Sequence, residues 1–193
     1  MKILVFDNYD SFTYNLVHCI EQLTGSLPDV YRNDKITLEA IAAYDKILLS
    51  PGPGLPAESG ILLNLIKEYA NSKSIFGVCL GLQAMAESFG GSLLQLDSVY
   101  HGIATDIQIL EKENLLFTGL PDVITAGRYH SWVADPATLP SCFRITASDA
   151  KGMIMAISHN SYNLHAVQFH PESILSPFGL KIIENWLFQP LTH

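Results

Sequence analysis

Three short segments carry residues that could do chemistry together. The first is Gly77-Val78-Cys79-Leu80-Gly81, a cysteine with glycine two residues away on each side. An apolar run, Ile75 to Val78, leads into it, and Leu82, Met85, Ala86 and Phe89 follow at helical spacing up to Gly90-Gly91. A nucleophile on a sharp strand-to-helix turn is presented to substrate, and flanking glycines remove side chains that would collide in the bend. At a helix N-terminus Cys79 also meets the positive end of the helix dipole, which favours thiolate. Most free cysteines are small buried hydrophobes, and Cys19 and Cys142, which lack such flanks, keep that reading.

The second segment, Phe169-His170-Pro171-Glu172-Ser173, supplies a proton shuttle. Pro171 disfavours helix at His170, so the stretch is expected to run extended with His170 and Glu172 on one side. Glu172 would then hold one ring nitrogen while the other faces sulfur. Cysteine, histidine and carboxylate make a triad for acyl transfer. The third segment, Pro51-Gly52-Pro53-Gly54, offers an open backbone N–H at Gly54. With the amide of Leu80, directly after the cysteine, it would form an oxyanion hole, where losing one donor costs a factor of ~10²–10³ in rate. A zinc site from His165, His170 and Glu172 lacks tight ligand spacing, so neither metal nor cofactor is expected. His18, His159 and His193 have no convergent partners, and His165 reads as a sheet residue.

The elements around these segments alternate. Ile3 to Phe6, Lys46 to Leu49 and Ile75 to Val78 are short apolar strands, each ending at one of the candidate loops or at a turn. Phe12, Leu16, Cys19, Ile20 and Leu23 recur at helical spacing, with Asp10 or Ser11 as N-cap candidate and Gly25 as the stop. Ile61, Leu62, Leu65, Ile66 and Tyr69 line a second helix. Ile103 to Leu110, Phe143 to Ser148, Met153 to Ser158 and Leu164 to Phe169 then read as strands with little helix between. A last helix, about 177–188, is expected to turn Leu180, Ile183 and Leu187 inward. The pattern predicts an α/β fold: a doubly wound, mostly parallel sheet with helices on both faces and an antiparallel extension. In such sheets the site lies beyond the carboxyl ends of the strands.

Composition bounds the function classes. At 193 residues, without repeats or a Pro/Gly/Ser-rich linker, the chain is expected to be a single domain. Hydrophobic residues at 48% exclude a disordered tail protein. Nineteen acidic against eleven basic residues give a net charge of −8, the wrong sign for a phosphate-backbone binder, so nucleic acid is not an expected partner. Apolar runs are too short for a bilayer span, and Asp7 interrupts the N-terminus too early for a signal peptide. Three cysteines without framework spacing fit a reducing cytoplasm.

Six motifs then coincide: F-D-N-Y-D-S-F-T-Y-N-L (Phe6 to Leu16), S-P-G-P-G (Ser50 to Gly54), G-V-C-L-G-L-Q-A-M-A (Gly77 to Ala86), H-G (His101-Gly102), R-Y-H-S (Arg128 to Ser131) and V-Q-F-H-P-E-S (Val167 to Ser173). Together, and in this order, they resemble the class I glutamine amidotransferases, a flavodoxin-like fold. N-Y-D-S-F resembles the glutaminase subunits of anthranilate synthase and aminodeoxychorismate synthase. The resemblance implies L-glutamine as acyl donor and Cys79, His170 and Glu172 as the triad, with Gly54 and Leu80 as the oxyanion hole. Gly52, Pro53, Gly54, Gln83 and the Ser131-Trp132 pair are implied as glutamine contacts, the last two through backbone groups. It also implies, as partner in a hetero-oligomer, a chorismate-binding synthase subunit that receives the ammonia. Leu82 replaces a frequent histidine, Ile103 a frequent lysine and Trp132 a frequent leucine; none belongs to the implied triad.

Overall fold

The computed structural model describes residues 1–188, so His193 lies outside it. Among the described residues nine strands form one sheet in the order β2-β1-β3-β4-β9-β8-β7-β5-β6. The parallel half comprises β1 (Ile3–Asp7), β2 (Asp29–Arg32), β3 (Lys46–Leu49), β4 (Ser74–Val78) and β9 (Leu164–Val167). The antiparallel half adds β8 (Ile154–His159), β7 (Phe143–Asp149), β5 (Leu93–Ile109) and the edge strand β6 (Val123–Ala134). Only β5 and β8 oppose the common strand direction, so the sheet is mostly parallel in sense, as its sequence pattern predicts.

Strands β1, β3, β4 and β9 are buried along their whole length, because helices cover both faces. Alternation divides the core in two. Ile3, Val5, Leu48, Phe76 and Val78 point to one side and pack on α1 (Thr13–Thr24) and α5 (Gly179–Leu187). Leu4, Phe6, Ile47, Leu49 and Ile75 point to the other, against α2 (Leu38–Ile41), α3 (Leu62–Tyr69) and α4 (Leu80–Ser88). Among the described residues no helix is long and apolar enough to cross a membrane.

Several local expectations are corrected. Neither Asp10 nor Ser11 caps α1: the N-cap is Phe12, without a side-chain cap. Asp10 instead closes an Asx-type turn, its Oδ1 accepting from the Phe12 amide at 2.8 Å, and Asp7 accepts from the Thr13 hydroxyl at 2.8 Å. Gly25 does end the helix, in the left-handed region at φ 71°. In α5 the buried stripe is Ile182, Ile183, Trp186 and Leu187, with Leu180 only half-buried, because Trp186 stacks on Phe76 and fixes the helix rotation. Strands β2, β6 and the first half of β5 have no counterpart in the periodicity reading. On β6 the core-facing positions include Arg128 and His130. Polar residues there erase the apolar alternation.

Candidate active site

Parallel strands β1, β3, β4 and β9 are neighbours, so the loops at their carboxyl ends open on one edge. Cys79 follows β4 and caps α4 with φ 52° and ψ −98°, a left-handed conformation rare for a residue with a Cβ. Its amide donates to the Val167 carbonyl at 2.8 Å, which fixes the elbow to β9. The flanking glycines are required by close approach: a Cβ on Gly77 would meet Gly81 at 2.7 Å, and one on Gly81 would meet Leu49 at 3.0 Å. Leu80 is the first residue of α4, where an amide has no intrahelical carbonyl to reach.

The loop after β3 lies against this elbow. Asn8 ties it to β1, donating from its amide to Ser50 Oγ (2.8 Å) and from Nδ2 to the Ser50 carbonyl (2.9 Å). Gly52 is wedged so tightly that a Cβ would come within 2.6 Å of Asn8 Cβ and 2.8 Å of Leu80 Cδ2. Gly54 adopts φ 72°, and Glu58 buttresses the far side by accepting from the Leu55 amide at 3.1 Å.

His170 does not lie in an extended stretch. His170 to Ser173 form a tight turn, closed by the Ser173 amide donating to the His170 carbonyl at 3.2 Å, with Pro171 at the second position that suits its fixed φ. The turn still brings Glu172 back onto the ring: His170 Nδ1 and Glu172 Oε1 are 2.7 Å apart, and both side chains are buried. Gly127 of β6 accepts from the His170 amide at 2.9 Å, so the sheet curls until its far edge touches the loop after β9. Tyr129 packs edge-on against the imidazole.

Burial opposes charge on His170, but its interactions with the Cys79 thiol and the Glu172 carboxylate outweigh that and lift the imidazole to about 10. At neutral pH the ring is therefore an imidazolium. Its Nδ1 proton is donated to Glu172. The second nitrogen, Nε2, is buried without a hydrogen bond of ordinary geometry, and Cys79 is the neighbour that, with Glu172, raises the ring.

Two cavities meet at Cys79. One, of about 410 Å³, is lined by Gly52, Pro53, Gly54, Cys79, Gln83 and the segment from Tyr129 to Trp132. All six implied glutamine-contact residues thus reach one space. Ser131 lies opposite an irregularity in β5: Gln95 pairs with Trp132 and Tyr100 with His130, leaving Ser131 outside the ladder. The second cavity, of about 490 Å³, lies between Cys79, His170, His101, Tyr129 and the Tyr9 to Phe12 loop. Cys19 and Cys142 line neither. His165 sits in β9 and accepts or donates at Ser158 (2.8 Å), away from His170. Among the described residues no cluster of three or more His, Cys, Asp or Glu could hold a metal.

Sequence reasoning missed what stands behind the cavity. Arg128 and Asp149 form a buried ion pair at 2.8 Å, and Gln168 donates to Cys79 Sγ at 3.4 Å. Arg128 opens the R-Y-H-S segment and Gln168 lies in V-Q-F-H-P-E-S, yet nothing in their spacing marks them as buried.

A thiol on an elbow, a buried imidazolium–carboxylate pair beside it and a cavity at the carboxyl edge of a doubly wound sheet can carry out acyl transfer. The family model for glutamine amidotransferase class-I matches residues 4–190, and the chain belongs to that family of enzymes. It is 46% identical over 187 residues to the aminodeoxychorismate/anthranilate synthase component 2 of Bacillus subtilis (strain 168), covering 96% of this chain and 95% of that protein. It is also 46% identical to the aminodeoxychorismate synthase component 2 of Escherichia coli (strain K12), covering 96% and 98%. Among solved structures, a putative GMP synthase subunit from Thermoplasma acidophilum superposes with a TM-score of 0.84 at 28% identity, covering 97% of this chain and 92% of that one.

Proposed function

We propose that this chain is the glutaminase subunit of anthranilate synthase, hydrolysing L-glutamine and passing ammonia to a chorismate-binding subunit. The observation that carries the chemistry is the His170–Glu172 contact of 2.7 Å beside Cys79, at the mouth of the cavity lined by Gly52 to Gly54, Gln83, Ser131 and Trp132. The Cys79 thiolate attacks the side-chain amide carbon of glutamine. Negative charge on the amide oxygen is met by the Leu80 amide, freed by its place at the start of α4, and by the Gly54 amide. His170 gives its Nε2 proton to the departing nitrogen, and Glu172 holds the ring throughout. Ammonia leaves as the carbon–nitrogen bond breaks. Water then attacks the thioester, returns a proton to His170 and releases glutamate.

The second cavity supports delivery of ammonia toward a partner, because it joins Cys79 and His170 to the outward loop from Tyr9 to Phe12. Ile174, 96% exposed, and the exposed Tyr14 lie on the segments that flank this loop and the His170 turn. Aminodeoxychorismate synthase is the second reading, favoured by the equal identity to relatives bearing that name. Reconstituting the chain with each synthase subunit, chorismate and glutamine tests both. Anthranilate formed only with its own synthase supports the first reading; aminodeoxychorismate formed alone supports the second; glutamate from neither refutes the glutaminase assignment.

A further inference from the structure

We infer that Gln168 is a catalytic residue that stabilises the Cys79 thiolate, its amide N–H aimed at the sulfur by a chain of hydrogen bonds, buried at both ends, that begins at Asp149. The chain runs Asp149–Arg128–His130–Trp132–Gln83–Gln168–Cys79, and the direction of every bond in it is forced. Arg128 has only donors. Its Nη1 is held by Asp149 Oδ2 at 2.8 Å, and its Nε donates to His130 Nε2 at 3.1 Å. That nitrogen must be unprotonated, and burial together with the Arg128 charge keeps His130 neutral, near 3. The His130 proton therefore sits on Nδ1 and goes to the Trp132 carbonyl at 3.1 Å.

Gln83 also meets that carbonyl, at 2.9 Å, so it must present its amide nitrogen. The same nitrogen reaches Gln168 Oε1 at 3.3 Å. With its oxygen committed to Gln83, Gln168 has only its nitrogen left for Cys79 Sγ, at 3.4 Å. Turning the Gln168 amide over would set nitrogen against nitrogen at Gln83 and oxygen against sulfur at Cys79. The first contact is repulsive outright, and the second is repulsive to a thiolate. Gln168 is fully buried, so no water competes for the donor. A hydrogen bond to the charged form of an acid favours that form. His170 supplies the opposite charge; Gln168 supplies a directed donor from another side.

This role deepens the glutaminase reading and rests on it for its use, but its test needs no glutamine. The titratable groups facing the sulfur are His170 with Glu172 behind it, Tyr9 and Asp10 from the loop after β1, and Tyr100, His101, Tyr129 and His130 from β5 and β6. All of these remain in the variants used.

The rate of Cys79 alkylation by iodoacetamide is measured against pH in the full chain, with site-resolved mass spectrometry separating Cys79 from Cys19 and Cys142. Gln168→Met removes the donor and should lower the rate below the thiol midpoint about tenfold, moving the midpoint up by about one unit. Gln168→Glu keeps an oxygen for Gln83, so the packing survives, and puts an acceptor at the sulfur; its midpoint should move up further. A profile unchanged or moved down in either folded variant overturns the inference. Glutamate release by the wild-type chain with its synthase is recorded alongside: its absence would refute the glutaminase reading while leaving the alkylation result to decide the role of Gln168.

Discussion

Gly52→Ala tests whether the loop after β3 helps stabilise the oxyanion. The added Cβ would lie 2.6 Å from Asn8 Cβ, 2.7 Å from the Asn8 carbonyl and 2.8 Å from Leu80 Cδ2. Leu80 can give a little, but Asn8 cannot, since Ser50 holds its amide and its side chain at 2.8 and 2.9 Å. Restoring ordinary contact at 3.4 Å requires the loop to retreat by about 0.8 Å. Gly54 follows two residues later and would carry its amide away with it. A displacement near 1 Å costs on the order of 10²-fold in rate, which agrees with loss of one oxyanion donor at ~10²–10³. The expected outcome is a fall of that size in kcat/KM for glutamine. Ammonia-dependent synthesis in the complex should persist, and Cys79 should still alkylate at the wild-type rate, because at the elbow only the tip of the Leu80 side chain has to give. Glutamine turnover within threefold of wild type would refute the reasoning and remove this loop from the oxyanion machinery.

Cys79→Ser should abolish glutamate release while an associated synthase still uses free ammonia, and Cys19→Ser and Cys142→Ser should match wild type; assays of both reactions in the complex check this. Glu172→Gln removes the anion that helps lift His170 to about 10 while burial still opposes its charge, so the alkaline limb of glutamate release should move to lower pH. The raised imidazole contributes stability that is complete below its ordinary value of 6.5 and is lost as pH rises through about 10, so the variant should lose less stability than wild type over that window in urea titrations. Asp149→Ala leaves Arg128 buried without its carboxylate and should cost about 3–5 kcal/mol in the same urea measurement. A loss below 1 kcal/mol would mean that the pair is dispensable.

The parallel half of the fold is legible because helices cover both of its faces. Four neighbouring strands there are buried throughout and mostly apolar, with a polar residue (Asp7, Lys46, Ser74 or His165) in each, and the intervening helices keep their period. Cys79 is legible for a related reason: glycines two residues to either side are demanded by backbone approaches of 3.0 Å or less, and few other tasks require them. The His170–Glu172 contact is also foreseeable, although by a different local path. An extended chain and a proline turn both put residues two apart within reach of one another, so the pairing can be read from the spacing while the backbone conformation cannot.

Strand β6 illustrates the opposite case. Its inward positions hold Ile124, Ala126, Arg128 and His130, so the period of two is present in geometry but absent in hydrophobicity. Such a strand is tolerable only if each inward polar group finds a partner, since an unpaired buried charge or amide costs several kcal/mol. Arg128 finds Asp149 on β7, His130 lies between Arg128 and the Trp132 carbonyl of its own strand, and that carbonyl also accepts from Gln83 of α4, which in turn donates to Gln168 after β9. No window short enough for pattern reading contains two of these side chains and the strand itself. The residues that hide the strand are therefore the ones that join it to the nucleophile, and a segment that looks poorly suited to a core is a reason to search for the distant groups that would make it one.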